Sequence, residues 1–95
     1  MGDIYFLFLG RGVPNSRLSI SKQELNRFLS CISYLRGYTL FHGDGSWDGV
    51  EEETSLLLVT GISEEQAIDI IVKYKQDYEQ EAVWFIKGSI GNQFL

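Results

Sequence analysis

Two helix-start signatures, Ser21 with Glu24 and Ser63 with Gln66, each stand between short apolar runs, and this interleaving constrains the fold more than any other feature of the chain. In each, a serine hydroxyl followed three residues later by Glu or Gln is a capping box, which satisfies backbone donors that a helix start leaves unpaired. After Ser21, Leu25, Phe28, Leu29 and Ile32 fall on one helical stripe, and Gly37 is a natural stop after Arg36. After Ser63, the residues Ala67, Ile70, Ile71, Tyr74 and Tyr78 make a second apolar face. The runs outside the helices are too short to be helices themselves. Ile4–Leu9 closes at Gly10, Tyr38–His42 follows helix one, Ser55–Thr60 closes at Gly61, and Ala82–Ile86 follows helix two.

The resulting order, β-α-β-β-α-β, predicts an α+β, ferredoxin-like sandwich. Its four-stranded sheet would be antiparallel, and right-handed crossovers would put both helices on one face. The whole chain, residues 1–95, reads as one such domain. Strands one and three would sit at the centre, with one face open to water, so polar and apolar residues should alternate along them. They do not. Tyr5, Leu7 and Leu9 face opposite to Ile4, Phe6 and Phe8, and Leu57 and Val59 opposite to Leu56 and Leu58. A large apolar side chain left in water forgoes roughly 1.5 to 3 kcal/mol, so the open face is expected to be covered. Candidate covers are a second subunit, an apolar ligand or the tail Ile90–Leu95, and a homo-oligomer is the simplest.

Between strands two and three lies Gly43–Glu53, which holds Asp44, Asp48, Glu51, Glu52 and Glu53 and no basic residue. Those five charges equal the net charge of −5, because the other acidic residues are balanced by the 8 Lys and Arg. The segment reads as the connection of a β-hairpin, with Asp-Gly steps suited to a turn. Charge gathered there beside Trp47 marks a contact surface, with Trp47 supplying area and Asp44, Asp48, Glu51, Glu52 and Glu53 complementarity, and with His42 at its edge. A pI near 4.7 disfavours direct nucleic-acid binding, which needs Lys and Arg against phosphates. The apolar start reads as a strand rather than a signal peptide, no membrane segment is expected, and Cys31 alone gives no disulfide framework, so a cytoplasmic location is the expectation.

Chemistry-bearing motifs are sparse. Asp44-Gly45-Ser46-Trp47-Asp48-Gly49 matches the first half of a calcium loop, but its twelfth position is Ser55, not the required Glu. Gly10-Arg11-Gly12 after a strand is a weak anion cradle, with Asn15 where a dinucleotide fingerprint needs its third Gly. His42 beside Asp44 offers an acid–base couple, against the plainer reading of a strand-end His. Cys31 lies next to the stripe of helix one and reads as a small buried hydrophobe. No metal-ligand spacing, nucleophile elbow or Walker loop is present, so neither an enzyme nor a cofactor is expected.

Gly43-Asp44-Gly45-Ser46-Trp47, then Glu53-Thr54-Ser55-Leu56-Leu57-Leu58-Val59, then Gln80-Glu81-Ala82-Val83 ahead of the last strand, together resemble a family of small bacterial proteins with a Gly-x-Gly-x-Trp hairpin and no assigned activity. More distantly, a Trp-bearing acidic hairpin in this element order is similar to CutA and PII-like proteins. That resemblance implies oligomers that bury sheet surface and place ligand sites at subunit clefts. The expected function is a non-enzymatic, oligomeric binding or regulatory protein whose contact surface is the acidic hairpin, with a protein or small molecule as partner. An acidic inhibitor of phage or mobile-element type, occupying the basic groove of a nucleic-acid-binding machine, is the alternative.

Overall fold

The computed structural model describes residues 3–13 and 18–89, with the backbone alone of Trp47 and Ser89. Six elements follow in order: β1 (Asp3–Gly10), α1 (Lys22–Ser30), β2 (Tyr38–Trp47), β3 (Val50–Thr60), α2 (Glu64–Asp77) and β4 (Trp84–Ser89). The strands form a four-stranded antiparallel sheet in the order β2-β3-β1-β4. Both serines cap a helix, but only Ser63 completes the capping box that the sequence predicts; the Glu24 carboxylate accepts from Arg27 and Tyr78 instead of returning to the Ser21 backbone. Ser21 accepts from the Glu24 backbone at 3.0 Å, and Ser63 and Gln66 make the reciprocal capping box at 3.1 and 2.9 Å.

The core lies between the helices and one face of the sheet. Tyr5, Leu7, Leu9, Leu57 and Val59 from the central strands pack with Leu25, Phe28 and Leu29 of α1 and with Ala67, Ile70 and Tyr74 of α2. Every second residue of β1 and of the inner half of β3 is buried, which is the period a strand must show when one face is covered. Tyr74 is fully buried, and its hydroxyl donates to the Gly10 carbonyl at 2.6 Å, pinning α2 to the end of β1. Tyr78 donates to Glu24 Oε2 at 2.7 Å and Tyr34 to Asp69 Oδ2 at 2.7 Å, tying α1 and the loop after it to α2.

Three further expectations need correction. Helix one ends at Ser30, short of Arg36. The Ser30 hydroxyl donates to the Arg27 carbonyl at 2.7 Å, and the following turns close through Ile32 N–H to the Leu29 carbonyl and Leu35 N–H to the Ile32 carbonyl. Ile32 stays in the core all the same, from a turn rather than a helix. Cys31, the C-cap, is exposed rather than buried, because the inward positions are taken by Phe28, Leu29 and Ile32. The strands of the hairpin are much longer than expected. β2 runs on to Trp47 and β3 begins at Val50, so the turn is only Asp48-Gly49, with φ of 54° and 79°. Positive φ at both residues is the type I′ geometry that matches strand twist, and Asp-Gly supplies it cheaply. The expectation that residues 90–95 cover the sheet falls outside the described residues, as do Asn15 and the Trp47 side chain. No helix among the described residues is long and apolar enough to cross a membrane.

Two predictions follow from these ties. Tyr74→Phe removes the donor to the Gly10 carbonyl and should lower unfolding free energy by about 1 to 2 kcal/mol in denaturant titration, with the fold kept. Glu24 is held down to about 2 by hydrogen bonds from Arg27 and then Tyr78. Its folded value lies below the unfolded one, so its contribution is present above about pH 4.5 and is lost as pH falls toward about 2. Glu24→Gln should flatten the acid limb of a stability-against-pH curve in that window.

Candidate functional site

Register alone assembles the first surface. On the side of the sheet away from the helices, Phe41 on β2 stands opposite Leu56 on β3, Leu56 opposite Phe8 on β1, and Phe8 opposite Trp84 on β4. One period further along, Thr39, Leu58, Phe6 and Ile86 make a second row across the same four strands. None of these eight residues is in the buried class, and Phe41 and Trp84 are 53% and 63% exposed. Phe8 and Trp84 are in ring contact, with centroids 5.3 Å apart, so the row is packed along itself while its outer surface meets water. With strand spacing of about 4.8 Å and a rise of about 3.4 Å per residue, the rows and the flanking Ile4 and Thr60 cover on the order of 300 to 400 Å², within the range of the largest apolar patch on a monomer, which is often a contact site. The doubly apolar central strands were legible in the sequence. The edge residues Phe41, Trp84 and Ile86 were not, because only register shows that they join the same rows.

The second surface is the acidic hairpin. β1 pairs with β3 only as far as Gly10 opposite Thr54, while β2 and β3 stay paired out to Trp47 opposite Val50. Residues 44–53 therefore project past the rest of the sheet as a two-stranded arm, and the molecule is 42 Å along its longest axis. On the helix side of the arm, Asp44 stands directly opposite Glu53 and Ser46 opposite Glu51, while register puts Val50 and Glu52 on the open side. Paired strands hold Asp44 and Ser46 on extended backbone, with Asp48 beyond them in the turn, whereas a calcium loop must curl to converge its ligands. Among the described residues no group of three or more His, Cys, Asp or Glu is placed to hold a metal ion.

The arm is anchored at its root by Arg11. This residue is 5% exposed, its backbone N–H donates to the Glu53 carbonyl at 2.8 Å, and its guanidinium donates to the Ile20 carbonyl at 3.1 Å and lies 3.4 Å from the Glu53 carboxylate. Its Nε is buried without a hydrogen-bond partner among the described residues. Nothing in the local sequence signals that this arginine is buried. Gly10 and Gly12 leave room for the Glu52 side chain, since a Cβ at either would meet a Glu52 oxygen at 2.6 or 2.7 Å. The Gly12 carbonyl accepts from Gln80 Nε2 at 2.8 Å. At this loop an anion would face the Glu52 carboxylate, with the Arg11 N–H already bonded to the sheet.

His42 shares the helix side with Asp44 by register, but its Nδ1 lies 2.7 Å from the hydroxyl of Ser55, which is fully buried. Burial first, then Lys22 and Arg11, push the imidazole below its ordinary value and favour the neutral ring. The pair is a structural link across β2 and β3, because a nucleophile out of reach of solvent cannot meet a substrate. Between the helices, a groove of about 200 Å³ is lined by Arg27, Phe28, Cys31, Ile32, Lys73, Asp77 and Tyr78. Its cations are engaged, Arg27 with Glu24 and Lys73 with Asp69.

Like charges directly opposite in an antiparallel pair destabilise it by a few tenths to about 1 kcal/mol. Asp44→Lys should therefore stabilise the protein by about 0.5 kcal/mol at low salt, read from denaturant midpoints, with the gain shrinking as salt is added. No family model, curated protein or solved structure matches this chain.

Proposed function

We propose that this protein is a non-enzymatic binding module that works as a homo-oligomer, with the open sheet face as its self-association surface and the acidic arm as the surface it presents to others. The observation that carries the reading is the pair of apolar rows spanning all four strands on the face without helices. Leaving them in water forgoes hydrophobic stabilisation that a second apolar surface recovers. On this reading the fold is ferredoxin-like, supported by the strand order β2-β3-β1-β4 and by a helix in each crossover. The arm supports an outward role. It presents Asp44, Asp48, Glu51 and Glu53 as exposed side chains, with Asp44 opposite Glu53 across the strands.

That same concentration of exposed acidic side chains favours a second reading, an acidic inhibitor that docks the arm into a basic groove. Such a partner would bind in a strongly salt-dependent way.

Sedimentation velocity or native mass spectrometry between roughly 1 and 100 µM tests the first reading, a range suited to a small interface. The wild type should associate, and Phe41→Lys with Trp84→Lys should give a monomer with unchanged far-ultraviolet circular dichroism, since both side chains are already largely exposed. A wild type that is monomeric throughout that range overturns the self-association and leaves the inhibitor reading in front.

A further inference from the structure

We infer that two copies pack open face to open face about a two-fold axis perpendicular to the strands, so that their acidic arms project from opposite ends of the dimer. The inference rests on the self-association proposed above and adds its geometry. In the aligned mode of face-to-face packing, which the inference adopts, two sheets keep their strands within about 30° of each other, about 10 Å apart. A two-fold axis between them then runs either along the strands or across them. The two choices bring different residues together.

Charge separates the two. By register Glu52 is the one charged residue that the paired strands put on the open face, and its carboxylate lies over Gly10 and Gly12 at the arm's root. An axis along the strands leaves both arms at the same end and brings the two Glu52 carboxylates near each other beside a desolvated interface, where repulsion is screened least. An axis across the strands carries each Glu52, and the rest of each arm, to opposite ends.

Size points the same way. With the axis along the strands, β2 lies over the partner's β4, so the bulky edge residues of one row meet, Phe41 against the partner's Trp84, while Thr39 of the other row meets the partner's Ile86. With the axis across the strands, each strand lies over its own copy and the two rows exchange. Phe41 then meets the partner's Thr39 and Trp84 meets the partner's Ile86, the larger against the smaller residue at both edges, while Leu56 meets the partner's Leu58 and Phe8 the partner's Phe6 in the middle. Alternating large and small residues across facing positions is what fills an interface without voids or clashes. A surface complementary to itself under a two-fold rotation is what an isologous dimer requires, which selects a second copy as the occupant.

A spin label at the arm tip distinguishes the geometries. Val50 is 66% exposed and lies seven residues along β3 from Leu57, the level of the axis. In the Cys31→Ser background, Val50→Cys labelled with a nitroxide should give an inter-label distance of about 48 Å, twice seven residues at about 3.4 Å each. Arms at the same end would instead give about 10 to 20 Å, set by the sheet separation and the strand offset. A pulsed dipolar distance near the long value, abolished by Phe41→Lys with Trp84→Lys, supports the inference. A short distance overturns this geometry while leaving self-association standing, and the absence of any intermolecular distance at 100 µM, on the order expected for a weak interface, overturns both.

Discussion

The antiparallel pairing of β1 with β3 is the contact on which the rest of the structure depends. It sets Tyr5 against Val59, Leu7 against Leu57 and Leu9 against Ser55 on the covered face. Once that register is fixed, the helices have one place to bury their apolar stripes, and Tyr74 reaches the Gly10 carbonyl. A slip of one residue would turn Phe6, Phe8, Leu56 and Leu58 inward, and these are as apolar as the residues they would replace. Hydrophobic pattern alone therefore specifies this register weakly. Polar detail specifies it better: Arg11 closes on the Glu53 backbone, and Gly10 and Gly12 leave room for the Glu52 side chain in this alignment.

The same alignment couples the two candidate surfaces. Because β1 stops at Gly10 and β4 begins only at Trp84, β2 and β3 continue alone and become the arm. Arg11, at the point where the sheet narrows, ties β3 to the loop that leads into α1 through Ile20. A buried guanidinium with an unpartnered Nε is a costly way to make a joint. It joins the arm's base to the loop ahead of α1.

Much of the fold was legible because its signals are local. The two N-cap serines, Ser21 and Ser63, located both helix starts, and the short apolar runs located the strands to within a few residues at their inner ends. The errors share a physical cause. Gly43, Asp44, Gly45, Glu51, Glu52 and Glu53 have low strand propensity, so the segment reads as a loop, yet cross-strand hydrogen bonding continues through it to a two-residue turn. The Asp48-Gly49 step carried the needed information, since a type I′ turn of two residues requires strands on both sides of it.

By itself the sequence determined the element order, the helix starts, the concentration of charge between the second and third strands and the apolar character of both faces of the central strands. These follow from side-chain chemistry and from spacing along the chain, which are present before any long-range contact forms. Tertiary structure alone decided that Phe41 and Trp84 complete rows begun by Leu56 and Phe8, that Arg11 is buried at the root of a projecting arm, and that Asp44 faces Glu53. Each of these depends on which residues of distant strands stand opposite one another. That is a matter of register, and register is fixed only when the whole sheet closes against its helices.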